Sequence, residues 1–173
     1  MKLIKDLSLI IGSKLNAKIG LIFILLLTWG QPSLAAPYKV GDSVSPVLLE
    51  TLEIDPNKIT IVDFFASWCV SCRKELPLLN SMQLDSEKYE LLGICTDKKI
   101  KQGLEFQKKL GLEFRIYNDN KQKTIKEFSP VGMPAMYFVY QGKVIAIHIG
   151  AIKKVDQVVQ KELAHLSEQV GLR

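Results

Sequence analysis

The sequence predicts an α/β domain with a mixed central sheet flanked by helices. Three observations predict it. Strand-length apolar runs at residues 58–65 and 89–95 alternate with segments of helical period, the last third holds two strands joined by Gln141-Gly142, and an amphipathic segment closes the chain.

The first 35 residues read as an address rather than as part of that domain. Residues 1–18 carry Lys2, Lys5, Lys14 and Lys18 against one acid, Asp6. The apolar run IGLIFILLL follows at 19–27, then Gly30 and Pro32, then the small-residue pattern Ser33-Leu34-Ala35. This is the three-part layout of a secretory signal with cleavage after Ala35. The rival reading is a retained N-terminal anchor, although nine residues rising 1.5 Å each cover under half of a hydrocarbon core about 30 Å thick. Either way the expectation is export, with residues 36–173 as the folded domain.

Residues 36–57 are rich in turn formers (Pro37, Gly41, Asp42, Pro46, Asp55, Pro56, Asn57) around the apolar stretch 47–52, which predicts an N-terminal edge strand or hairpin. Residues 58–65, KITIVDFF, are apolar on both faces except for Asp63, as in a central strand covered on both sides. A helix is expected over 73–84 with Leu76, Leu79 and Leu84 on its apolar face and a kink at Pro77. Residues 89–95 read as a second buried strand, and 100–110 as a helix stopped by Gly111. A short strand at 114–117 and a short helix at 121–128 follow. The strands 135–140 and 143–150 form a hairpin through Gln141-Gly142, and 154–169 is the closing helix, with Val155, Val158, Val159, Leu163 and Leu166 on one side.

Without its leader the chain has 19 basic and 17 acidic residues, and no basic cluster with interleaved aromatics marks a nucleic-acid surface. Three cysteines, Cys69, Cys72 and Cys95, are too few for a disulfide scaffold. Two of them form a Cys-x-x-Cys. Cys69 falls where a buried strand ends and a helix begins, so its sulfur should lie over unpaired N–H groups at the positive end of a helix dipole, which lowers a thiol pKa. Cys72, three residues on, shares its face and can close a disulfide or break a mixed one. Trp68 should roof the pair.

The residues WCVSC, with VDFFASWC before them and RKELP after, resemble the thioredoxin superfamily. The inserted helix and strand over 100–117, the exported context and VGMPAMYFVYQGKV near the end look specifically like its TlpA/ResA branch of periplasmic thiol-disulfide oxidoreductases. The resemblance spans residues 40–168. It implies a thioredoxin fold, a nucleophile at Cys69, a resolving thiol at Cys72, and a cis-proline at Pro134 that leaves the backbone of Met133 free to pair with a substrate. It also matches Asp63 to the buried acid behind the second cysteine and Glu75 to the acid three residues beyond it, leaving two candidates for the base that takes the Cys72 proton. The implied partners are protein thiols and disulfides, with a membrane thiol-disulfide relay as electron donor. The implied role is a periplasmic dithiol reductase, for example in cytochrome c maturation.

Other readings of the same residues stay open at this stage: a disulfide oxidase or isomerase, a copper chaperone on the same scaffold, a structural disulfide, or a zinc site drawing on Cys95, His148 and His165. The last lacks a second close ligand pair, and neither cofactor nor metal is expected. Cys95 is expected to act as a small hydrophobe, and both histidines as packing or surface residues.

Overall fold

β1 (Ile59–Phe65) sits at the middle of the sheet, and every one of its seven residues is buried. This computed structural model describes residues 36–172, so the expected leader lies outside the described residues. The elements run α1 (Pro46–Thr51), β1, α2 (Val70–Asn80), β2 (Tyr89–Cys95), α3 (Ile100–Leu110), β3 (Arg115–Asn118), α4 (Lys123–Phe128), β4 (Ala135–Tyr140), β5 (Lys143–Ile149) and α5 (Val155–Val170). The five strands are ordered β3-β2-β1-β4-β5. β1, β2 and β3 are parallel, while β4 runs antiparallel to both of its neighbours, β1 and β5.

The period-two alternation of β1 divides the core. Val62 and Phe64 face a cluster closed by Leu48 and Leu52 near α1 and by Phe128 of α4. Ile59 and Ile61 face Leu79 of α2 and Val155, Val159, Leu163 and Leu166 of α5. Phe65, on that same side, packs with Cys69, Cys72, Leu76, Cys95 and Phe106. Asp63 therefore points to the face that α2 covers.

The segment at 47–52 is a helix, not the expected edge strand. Ser45 caps it, its Oγ accepting from Leu48 N at 3.3 Å, and Pro46 stands at the first helical position, where its fixed φ and missing N–H cost nothing. Leu48 and Leu52, one turn apart, then bury together, a helical spacing that the short run concealed. The strand-like character lies just before it: Ser43 bridges Lys143 of β5, and the amides of Gly41 and Val44 donate to the carbonyls of Val144 and Gly142.

Smaller differences matter more for the site. α2 starts at Val70, three residues earlier than expected, and continues through Pro77 to Asn80, so Cys72 lies within it and Leu84 beyond it. Its buried residues are Cys72, Glu75, Leu76 and Leu79, the spacing of one inward face. α4 starts at Lys123 because Asp119 caps it, its carboxylate accepting from Lys123 N and Ile125 N at 2.8 Å each. The hairpin turn has φ of +48° at Gln141 and +72° at Gly142, the left-handed pair that matches strand twist.

Candidate functional site

The central strand β1 and its parallel neighbour β2 end at one level, Phe65 opposite Cys95, and the two loops that leave them build the site. Cys69 is the N-cap of α2, with extended backbone (φ −80°, ψ 107°), and its Sγ accepts from Cys72 N at 3.2 Å. Here the helix terminus offers a free amide to sulfur in the way it ordinarily offers one to a capping oxygen. Cys69 and Cys72 are joined as a disulfide, their Cα atoms 5.3 Å apart. Cys72 is 1% exposed and Cys69 only 6%, so Cys69 shows a narrow arc to solvent rather than the open sulfur that thiol exchange suggests. Trp68, next to Cys69 in the chain, is 65% exposed.

Asp63 and Glu75 come close to each other between the sheet and α2. Asp63 is 2% exposed, and its Oδ1 has no hydrogen-bond partner. Burial, with the nearby Glu75 carboxyl as a lesser cause, raises its pKa from 3.8 to about 7. Glu75 is also buried, and burial pushes its pKa up against the opposing effect of Ile152 N, which donates to Oε1. Asp63 thus holds a fully buried oxygen without a partner, while Glu75 ties α2 to the loop ahead of α5.

The Met133–Pro134 peptide is cis. Pro134 O accepts from Gly150 N at 2.9 Å, and Met133 Sδ accepts from Thr96 Oγ1 at 3.7 Å. Among the described residues neither backbone group of Met133 takes part in a backbone hydrogen bond, so that edge is open.

Asp97 is the residue that sequence reasoning missed. It is 4% exposed, and its two carboxylate oxygens accept from Ser67 N and Ser67 Oγ, each at 2.8 Å. Arg73 holds the remaining polar group of Ser67, donating from its guanidinium to the carbonyl at 2.9 Å, and lies over the Phe106 ring. The turn that carries Trp68 and Cys69 is thereby fixed at three points. A polar residue just past the carboxyl end of a buried parallel strand was the available signal, since such ends are where α/β sheets place their sites.

Cys95 is 1% exposed, and its thiol donates to Asp97 Oδ2 at 3.4 Å. Burial raises its pKa to about 11, so it is a poor nucleophile near neutrality. His148 packs edge-on against Phe138, and His165 pairs with Gln169 on the exposed side of α5. Among the described residues no group of three or more His, Cys, Asp or Glu side chains is placed to hold a metal ion.

Residues 32–148 match the sequence profile of the AhpC/TSA family. Sporulation thiol-disulfide oxidoreductase A of Bacillus subtilis is 29% identical over 151 residues, covering 79% of this chain and 92% of that protein. Thiol-disulfide oxidoreductase ResA of Geobacillus thermodenitrificans is 24% identical over 127 residues, covering 68% of this chain and 73% of that one. The crystal structure of StoA from Bacillus subtilis superposes with a TM-score of 0.56 at 22% identity, over 75% of this chain and 98% of that one, a likeness of fold.

Proposed function

Because the chain belongs to the AhpC/TSA family and is a thiol-disulfide oxidoreductase of the StoA and ResA type with a Cys69–Cys72 pair, we propose that it is an exported dithiol reductase of protein disulfides. Export rests on the leader pattern of residues 1–35, and residues 36–173 are then the working domain. Among the described residues no helix is long and apolar enough to cross a membrane. The electrons come from a membrane thiol-disulfide relay, and the haem-binding cysteines of an apocytochrome c are one candidate substrate.

The observation that carries the reading is the Cys69 sulfur at the tip of α2, accepting from Cys72 N. In the reduced protein the Cys69 thiolate attacks a substrate disulfide, forming a mixed disulfide and expelling a substrate thiolate that takes up a proton. Cys72 loses its proton and displaces the second substrate thiolate. The substrate gains two electrons and two protons, and the protein is left as the Cys69–Cys72 disulfide. Asp63 is the group we assign to accept the Cys72 proton: it lies on the sheet face that the helix bearing Cys72 covers, with a free oxygen and a pKa near the working range. Glu75 then serves as a positioning residue through Ile152. Trp68 and the open Met133–Pro134 edge receive an extended substrate strand.

Reduced protein is expected to reduce the disulfides of insulin, and Cys69→Ser to be silent in that assay. Wild-type turnover by Cys69→Ser would remove the nucleophile assignment. Equilibration with glutathione checks the direction: a reductase keeps its disulfide until glutathione is strongly reducing, whereas a strongly oxidising equilibrium overturns that role.

A further inference from the structure

Two grooves each include the residue that precedes one of the paired cysteines, Trp68 before Cys69 in one and Ser71 before Cys72 in the other. The first, about 310 Å³, is lined by Trp68, Met133 and Ile125 with Lys98 and Lys99 at the head of α3. The second, about 420 Å³, is lined by Ser71, Leu78 and Ile152 with Lys74, Lys153 and Lys154.

The charges of these grooves are one-sided. All five lysines are exposed, and none lies in a salt bridge among the described residues. The grooves hold two carboxyl groups, and neither offers charge to solvent. Asp97 is buried and occupied by Ser67, and Glu75 is buried and bonded to Ile152 N. A chain that carries only two more basic than acidic residues outside its leader thus concentrates unpaired positive charge in the two grooves that hold the neighbours of its paired cysteines. Exposed apolar groups share the grooves with the lysines, Trp68 in the first and Leu78 in the second.

We propose that these grooves select disulfides set in acidic peptide segments, with apolar residues next to the reacting cysteine and Asp or Glu side chains on either side. The inference deepens the reductase reading and rests on it. Lysines around a cleft raise the local concentration of an anionic partner and its rate of encounter, an effect that salt screens. Anionic phospholipid would also meet this charge. The lysines, however, line the grooves that hold Trp68 and Ser71, the chain neighbours of Cys69 and Cys72, where charge acts on the disulfide that must reach the pair, so a peptide is the occupant the geometry favours.

The test uses the reduced full chain and two peptides of the same length, each with one intramolecular disulfide and identical apolar neighbours, flanked by Glu in one and by Lys in the other. Second-order reduction rates at low ionic strength should favour the acidic peptide by about tenfold or more, and the ratio should fall towards one in high salt. The variant Lys98→Glu/Lys99→Glu/Lys153→Glu/Lys154→Glu should cancel or invert the ratio. Lys108→Glu/Lys109→Glu, about 13 Å further along α3 from Lys99, should retain it.

Equal rates for the two peptides, or an unchanged ratio in the fourfold variant, overturns the inference while leaving the reductase reading in place. Failure to reduce either peptide removes both. Equal rates together with retention on phosphatidylglycerol vesicles that the fourfold variant loses would assign the charge to a lipid surface instead.

Discussion

Asp63 joins a structural cost to a chemical use. Its pKa of about 7, against 3.8 in an open chain, means that the folded protein still holds a proton that the unfolded chain has released between about pH 4 and 7. Stability from this site is complete below pH 4 and drains away as pH rises through 7. Asp63→Asn has no such dependence, so its unfolding free energy should gain on the wild type by a few kcal/mol between pH 4 and 8. A constant difference across that range contradicts the assignment. The same carboxyl should show in kinetics: resolution of a mixed disulfide by Cys72 is expected to accelerate through an inflection near pH 7, and Asp63→Asn to lose that inflection and slow by roughly a hundredfold. Asp97 is a different kind of residue, a positioning group. Asp97→Ala leaves two Ser67 donors unpaired in a buried turn, with an expected loss of about 1–3 kcal/mol in chemical denaturation. It should also slow thiol exchange, since Trp68 and Cys69 ride on that turn.

The legibility of the elements followed the length and burial of each segment. β2, α3 and β4 match the sequence reading residue for residue, because long apolar or strongly periodic runs leave one solution and Gly111 marks a stop. α1 was misread because six residues hold little more than one turn, too few to show a period, and turn formers on either side suited a strand equally well. The decisive features were Ser45 and Pro46, a capping residue followed by a helix-starting proline. Ser45→Ala should cost about 1 kcal/mol of stability in urea, and a neutral result would argue against the cap. α3 offers a sharper case at Gly103, where an added Cβ would stand 2.7 Å from the Cys95 sulfur. Alanine in place of a helical glycine ordinarily gains up to about 1 kcal/mol, but overpacking costs about 1–3. Gly103→Ala is therefore expected to destabilise on balance, and adding Cys95→Ala to recover much of the loss. Stabilisation by Gly103→Ala alone would contradict the packing between α3 and β2.

Across the whole molecule, the sheet does for the site what sequence spacing alone could not. The role of Pro134 came from the family resemblance, while the Cys-x-x-Cys pair and its strand-to-helix setting were readable because each is local or follows an extended run. The meeting of Asp63 with Glu75, and of Ser67 with Asp97, was not. The first pair is 12 residues apart and the second 30, and only the parallel register of β1 with β2 and the inward face of α2 bring them together. The fold also accounts for Cys95: it shares a cluster with Cys69 and Cys72, yet burial keeps its thiol protonated. One sulfur of three should therefore capture substrate, and this can be observed directly. When reduced Cys72→Ala protein meets a disulfide peptide, intact mass and peptide mapping should find a stable mixed disulfide on Cys69 alone. An adduct on Cys95, or none at all, would contradict the account.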